Sequence, residues 1–166
     1  MDSPTSLDSS ALRVRPATAA DRPALLSLIN SAFSIETFLD GTRTDDAQLA
    51  GMMEKGNMFV AENGDGGLVA SVYTEVRGAR GYLGMLAVDP AHQGSGLARR
   101  IVLAAEDYLR GQGCGAVDIT VLSQRTELLP LYSRFGFVET GREEFSTQRT
   151  LTPGVECYCI VMSKEL

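Results

Sequence analysis

The stretch VDPAHQGSGLARR, residues 88–100, decides how this chain is read. The apolar run GYLGMLAV (81–88) before it is stopped by Asp89-Pro90, and a helical pattern begins after the two glycines. A strand, a glycine turn and a helix start, in that order, build an anion site. Glycine lets the backbone come close to a ligand, and the first N–H groups of a helix have no partner inside it. Their dipoles favour phosphate or pyrophosphate. His92, Arg99 and Arg100 add local positive charge, with no acid after Asp89. A tight turn without a ligand would use the same glycines, so the loop alone leaves both readings open.

Two familiar phosphate loops do not fit. A P-loop needs a lysine after its glycines, and none follows here. Gly94 and Gly96 offer the G-x-G of a dinucleotide fingerprint, with Asp118 about 20 residues on. The third glycine, however, would fall at Arg99. Residues Asp89 to Gln93 separate the strand from the first glycine, and Asp118 lies inside the next strand-like run, AVDITVL (116–122). The nicotinamide reading fails on all these points.

Outward from the loop, LRVRPAT (12–18) alternates apolar and polar residues, as a half-buried strand does. Thr18 followed by Asp21 resembles a capping box, and Leu25, Leu26, Ile29 and Phe33 recur at helical spacing. A second helix is predicted from Thr44 through Leu49, Met52 and Met53 to Gly56. NMFVAENGDGGLVASVYTEV (57–76) reads as a hairpin. After the loop, Leu97, Ile101, Ala104, Ala105 and Tyr108 mark the inner face of a long helix ending near Gly111–Gly113. Glu106 and Arg110 are expected to pair on its outside. A fourth helix is predicted over roughly residues 125–135, where Pro130 demands a kink or a late start. FGFVETG (135–141) and VECYCIVMSKEL (155–166) close the chain as strands. This order predicts an α/β fold with a mixed, mostly antiparallel sheet flanked by helices on both faces.

These features together resemble the GNAT N-acetyltransferases. Their acetyl-CoA signature, Q/R-x-x-G-x-G/A, is matched by QGSGLA (93–98), and MLAVDP (85–90) is similar to the strand that leads into it. LLPLYSRFGF (128–137) is similar to the family's second conserved region, with Tyr132 four residues before Gly136. The resemblance covers residues 11–166. It implies the acyl-CoA N-acyltransferase fold and acetyl-CoA as cosubstrate.

Carried over residue by residue, the resemblance implies that Gln93, Gly94, Ser95, Gly96, Leu97 and Ala98 hold the pyrophosphate of coenzyme A, mainly through backbone N–H groups, with the Arg99 side chain beside them. Leu86, Ala87 and Val88 would pair through their backbone with the pantetheine arm, and the Val88 N–H would polarise the thioester carbonyl. Tyr132 would protonate the departing thiolate, a role open to a phenol with a reference pKa near 10. Read without the family, Tyr132 is a packing residue beside Leu128, Leu131 and Phe135.

The chain also departs from the pattern. Arg125 stands where many relatives have asparagine, with two destinations open: the cofactor, or solvent at the helix start. Residues Tyr82 to Val88 contain no acid where some relatives carry a glutamate base. Glu36 and Glu75 are the candidate bases, directly or through water. His92 has the right pKa class, but it sits by the pyrophosphate loop, away from the thioester, and is expected at the surface.

Composition bounds the rest. A chain of 166 residues suits one domain burying roughly 70% of its unfolded surface, with residues 1–10 as a loose tail. No apolar run reaches the ~18 residues of a membrane span, and MDSPTSLDSS (1–10) has no signal-peptide pattern, so a cytoplasmic location is expected. A net charge of −6 argues against nucleic-acid binding. With a single histidine, and with Cys114, Cys157 and Cys159 read as buried thiols, no metal site is expected. The leading expectation is acetyl transfer to a primary amine, on a small molecule or a peptide, by direct attack, with residues 31–46 contacting the acceptor. The acidic balance favours a cationic acceptor. The alternative is an acyl-CoA sensor without turnover. A homodimer follows by analogy with the family alone.

Overall fold

The hairpin forms as β2 (Asn57–Glu62) and β3 (Leu68–Arg77). At its turn, the side-chain oxygens of Asn63 and Asp65 both accept the Gly67 N–H. With β1 (Arg13–Pro16), β4 (Arg80–Val88), β5 (Ala116–Leu122), β6 (Val138–Glu144) and β7 (Tyr158–Glu165) it makes one sheet, ordered β1-β2-β3-β4-β5-β7-β6. Only β4 and β5 run parallel; every other pair is antiparallel. The computed structural model describes residues 12–147 and 149–166, so the expected tail, residues 1–10, lies outside the described residues.

Helices cover both faces. On one, α1 (Arg22–Ala32) and α2 (Asp46–Lys55) bury Leu25, Leu28, Ile29 and Leu49 against Met58, Val60, Tyr73, Met85 and Ala87. On the other, α3 (Leu97–Gly111) buries Leu97, Ile101, Val102, Ala105 and Leu109 against Leu83, Val117, Ile119 and Phe137. The capping expectation at Thr18 holds, since Asp21 accepts the Thr18 N–H, and α2 starts two residues later than predicted because Asp45 caps it by accepting the Gln48 N–H.

The expected Glu106–Arg110 pair is corrected, and of the two options for α4 the late start is the one found. Glu106 is not on the outside of α3: it is 1% exposed and accepts two hydrogen bonds from Lys164 Nζ on β7, at 2.6 and 3.2 Å. It shares the inner stripe with Val102 and Leu109, one helical turn away on either side. Arg110 pairs with Asp107 instead. α4 spans only Leu128–Arg134, which puts Pro130 in the first turn, where no backbone N–H is needed. Cys114 and Cys159 are buried thiols, whereas Cys157 is half-buried. Among the described residues, no helix is long and apolar enough to cross a membrane.

Candidate active site

β4 begins as an ordinary strand between β3 and β5. Its parallel ladder with β5 pairs Arg80–Leu83 with Ala116–Ile119 and ends there. Beyond Leu83, β4 keeps β3 as its partner and β5 keeps β7. The facing edges of 84–88 and 120–122 are left unpaired with one another.

A bulge sits where the ladder ends. Gly84 pairs with Tyr73 and Ala87 with Ser71, so Met85 and Leu86 together face Val72. Met85 takes a left-handed φ of 49°, the only such value at a non-glycine position among the described residues. The extra residue switches the faces of the strand. Leu83 packs on the α3 side, whereas Met85 and Ala87 pack on the α1 side. Asp89 N–H donates to Val69 O, so the Asp89/Val69 and Ala87/Ser71 pairs are the bonded ones. Ala87 therefore spends its backbone on β3. Val88, between the two bonded pairs, points its N–H and C=O away from β3, toward the gap.

A 3-10 turn (Pro90–His92), capped by Asp89, leads from the strand to the glycines. Gly94 and Gly96 have φ of 81° and 80°, which a side-chain-bearing residue would adopt only with strain. Nothing lies within 4 Å of where a Cβ would stand on either. Ser95 Oγ donates to His92 O (2.6 Å) and steadies the turn. Gly96 begins α3 without a side-chain cap, leaving the first-turn N–H groups of Leu97 and Ala98 to a ligand or solvent. Gln93 and Arg99 are exposed. Arg99 also lines a cavity of about 180 Å3 that Arg134, Phe135 and Lys164 share. His92 is half-buried rather than on the surface, with Nδ1 3.6 Å from Asp89.

Tyr132, on α4, packs edge-on against Phe135 and Phe137, with centroids 6.2 and 5.9 Å away. Burial pushes its pKa up to about 12, the positive charge of Arg125 pulls it back, and Tyr82 adds to the rise. Tyr132, Arg125 and the β4 tyrosine thus lie near enough to feel one another. Tyr82 lies over Gly84, where a Cβ would come within 2.9 Å of its ring, and carries the Arg77 guanidinium 4.1 Å above its face.

Glu36 is 4% exposed and held between two arginines. Arg125 Nη1 donates to Oε2 (2.8 Å) and Arg149 Nη1 to Oε1 (3.0 Å). Both oxygens are already engaged, which does not suit a proton acceptor. Arg125 does not lie free in solvent at the helix start: its hydrogen bonds go to Glu36 and Glu127. Glu75, the other candidate base, accepts hydrogen bonds from Arg77 Nε (2.9 Å) and Tyr73 Oη (2.8 Å). The Arg77 bond leads in holding its pKa below the usual carboxylate range, against the opposing effect of burial.

Sequence reasoning missed Arg149. It comes from the long connection between β6 and β7, and it also donates to the carbonyls of Asp40 and Gly41. Around it, Asp40 N–H bonds Thr150 O, Thr152 N–H bonds Phe38 O, and Leu39 bridges Leu151. The segment after α1 and the β6–β7 connection are thereby zipped together. A lone arginine in a polar stretch carries no local signal of this contact.

A family model for the acetyltransferase (GNAT) domain matches residues 27–153. The mycothiol acetyltransferase of Rhodococcus erythropolis is 31% identical over 128 residues, covering 70% of this chain and 43% of that protein. The corresponding enzyme of Beutenbergia cavernae is 38% identical over 80 residues, covering 48% and 27%. The chain thus spans less than half the length of these curated relatives. The spermidine N-acetyltransferase of Vibrio cholerae, solved with CoA and spermine, superposes with a TM-score of 0.74 at 19% identity, covering 95% of this chain and 96% of that one, which shows a shared fold. The bulged and half-unpaired fourth strand, the glycine loop opening α3 and the match over residues 27–153 agree, and the chain belongs to the GNAT acetyltransferase family.

Proposed function

We propose that this chain transfers the acetyl group of acetyl-CoA to a primary amine by direct attack. The observation that carries the reading is the gap between β4 and β5, which starts at a bulge and runs to an uncapped helix N-terminus. An extended amide-bearing arm ending in a pyrophosphate fits that path. Main-chain groups of Leu86 and Val88 bind the arm, and the N–H groups of residues 94–98 and the Arg99 side chain bind the pyrophosphate.

The reaction joins the amine nitrogen to the acetyl carbon, breaks the carbon–sulfur bond, takes one proton from nitrogen and leaves one on sulfur. The Val88 N–H stabilises the carbonyl oxygen as it gains charge. Tyr132 presents its hydroxyl to the sulfur. With Glu36 and Glu75 both held by arginines, neither serves as the base. The amine proton leaves through water, and Glu36 positions Arg125 and Arg149. The same engagement of both glutamates favours a second reading, an acyl-CoA sensor without turnover. Thiol release from acetyl-CoA with a panel of amines decides between them: amine-dependent release supports transfer, and binding without release supports the sensor. The family resemblance extends the reading to a cytoplasmic homodimer, which sedimentation of the purified chain tests for its oligomeric part.

A further inference from the structure

One carboxylate, Glu36, faces three guanidinium groups, those of Arg43, Arg125 and Arg149. Glu127 adds a second carboxylate beside Arg125 but is 54% exposed and well screened. Arg149 is fully committed, to Glu36 and to the carbonyls of Asp40 and Gly41. Arg125 uses Nε and Nη1 on its two glutamates, and its Nη2 bonds no described residue.

Arg43 is the uncommitted one. It lies half-buried with its guanidinium 5.3 Å from the centre of the Phe33 ring, and no carboxylate among the described residues lies within ion-pair distance of it. Burial works against its charge, and only Glu36 and Tyr82 favour it from a distance. It also lines a cavity of about 230 Å3 with Arg149. Asp40 and Asp45 line that cavity too, accepting the N–H groups of Thr150 and Gln48, and neither forms an ion pair with Arg43. A guanidinium half out of water, with an aromatic face but no anion against it, gains when a ligand supplies the anion.

We propose that the acceptor is an amino-carboxylate, an amine whose own carboxylate is bound by Arg43 in the cavity that Arg43 and Arg149 line. A planar guanidinium fork matches a carboxylate, and binding one gives Arg43 the ion-pair partner that no described residue supplies. The cavity is of small-molecule size and the zipped loops bound it, which favours a free amino acid over a protein chain. The inference rests on the acetyltransferase reading, and it reverses the cationic acceptor expected from the net charge, because the unpaired group facing the cavity is a guanidinium.

The test measures thiol release from acetyl-CoA with L-methionine, L-phenylalanine and L-glutamate, each beside its own α-carboxamide. Spermidine serves as the cationic control and the peptide amide Ala-Glu-Ala as the acidic peptide. The expected result is kcat/KM roughly tenfold or more higher for at least one acid than for its amide, the factor that one charge-assisted hydrogen bond supplies. Arg43→Gln should bring that ratio close to one by raising KM for the acid, and Arg43→Lys should restore part of it. Equal use of acids and amides, or a preference for spermidine, overturns the proposal while leaving acetyl transfer standing. Preference for the acidic peptide over every free acid overturns the free amino acid as acceptor. If no amine releases thiol, the transfer reading fails. Thermal unfolding with N-acetyl-L-methionine and with its amide, in CoA, then reads the anion site directly: a rise with the acid alone, lost in Arg43→Gln, supports it, and no difference refutes it.

Discussion

Replacing Tyr132 by phenylalanine removes one oxygen from the centre of the proposed reaction. No hydrogen-bond partner for that hydroxyl is found among the described residues, and the edge-on contacts with Phe135 and Phe137 survive the change. Stability should therefore shift by less than about 1 kcal/mol. Catalysis should suffer more. With its pKa pushed up to about 12, Tyr132 stays protonated throughout the working range and always has a proton to offer. Handing that proton over completely to a thiolate of pKa near 8.5 would be uphill by about 5 kcal/mol. The hydroxyl therefore acts as a hydrogen-bond donor to the forming thiolate, and the proton leaving the amine completes the neutralisation. Such a role belongs at the low end of acid–base contributions, a loss of roughly 100-fold in kcat, or about 2.7 kcal/mol, on Tyr132→Phe. The assay is steady-state thiol release at saturating acetyl-CoA, from pH 6 to about 11. The wild-type rate should rise as the amine loses its proton and show no fall from ionisation of Tyr132 below about pH 11. A variant keeping more than half the wild-type kcat would refute the reasoning.

Other outcomes follow from the same structure. Asp21 is held at a pKa of about 2, chiefly by its hydrogen bonds from Arg15, so its contribution is complete above the unfolded value near 3.8 and is lost as pH falls toward 2. Acid unfolding of Asp21→Asn should accordingly lack about 2 kcal/mol of pH-dependent loss between pH 5 and 2. Glu106→Gln should destabilise by about 3 kcal/mol in urea unfolding, because it leaves the Lys164 ammonium unpaired beside the core, whereas joint replacement of Glu106 by Leu and Lys164 by Met should recover most of that loss. Gly96→Ala, at a φ of 80°, should cost about 1 kcal/mol of stability and lower acetyl-CoA affinity further, measured by titration calorimetry.

The helices were legible because their apolar residues recur at the right spacing, and the glycine loop because Gly94 and Gly96 leave few alternatives between a strand and a helix. The bulge at Met85 was not. GYLGMLAV reads as one uninterrupted strand, and the extra residue appears only once Tyr73 and Ser71 on β3 define the register. Glu106 was misplaced because a carboxylate inside an apolar stripe reads as solvent-facing until its distant partner, Lys164, is known. Arg43, Arg125 and Arg149 converge on Glu36 from three separate connections of the chain. Long-range pairing such as Arg149 with Glu36 leaves no local periodicity to detect. Glu36 read as a candidate base, and only its two arginine partners show that both its oxygens are engaged.

Thermal unfolding with and without saturating acetyl-CoA, with NAD and ATP as controls, tests the central claim most directly. Ligand at about 100 times its dissociation constant adds roughly 2.7 kcal/mol, which for a chain of this size raises Tm by about 5–11 °C. The account predicts that rise with acetyl-CoA and none with NAD or ATP. An unchanged Tm at saturating acetyl-CoA, or an equal rise with NAD, would contradict the assignment of the β4 gap and the glycine loop to coenzyme A.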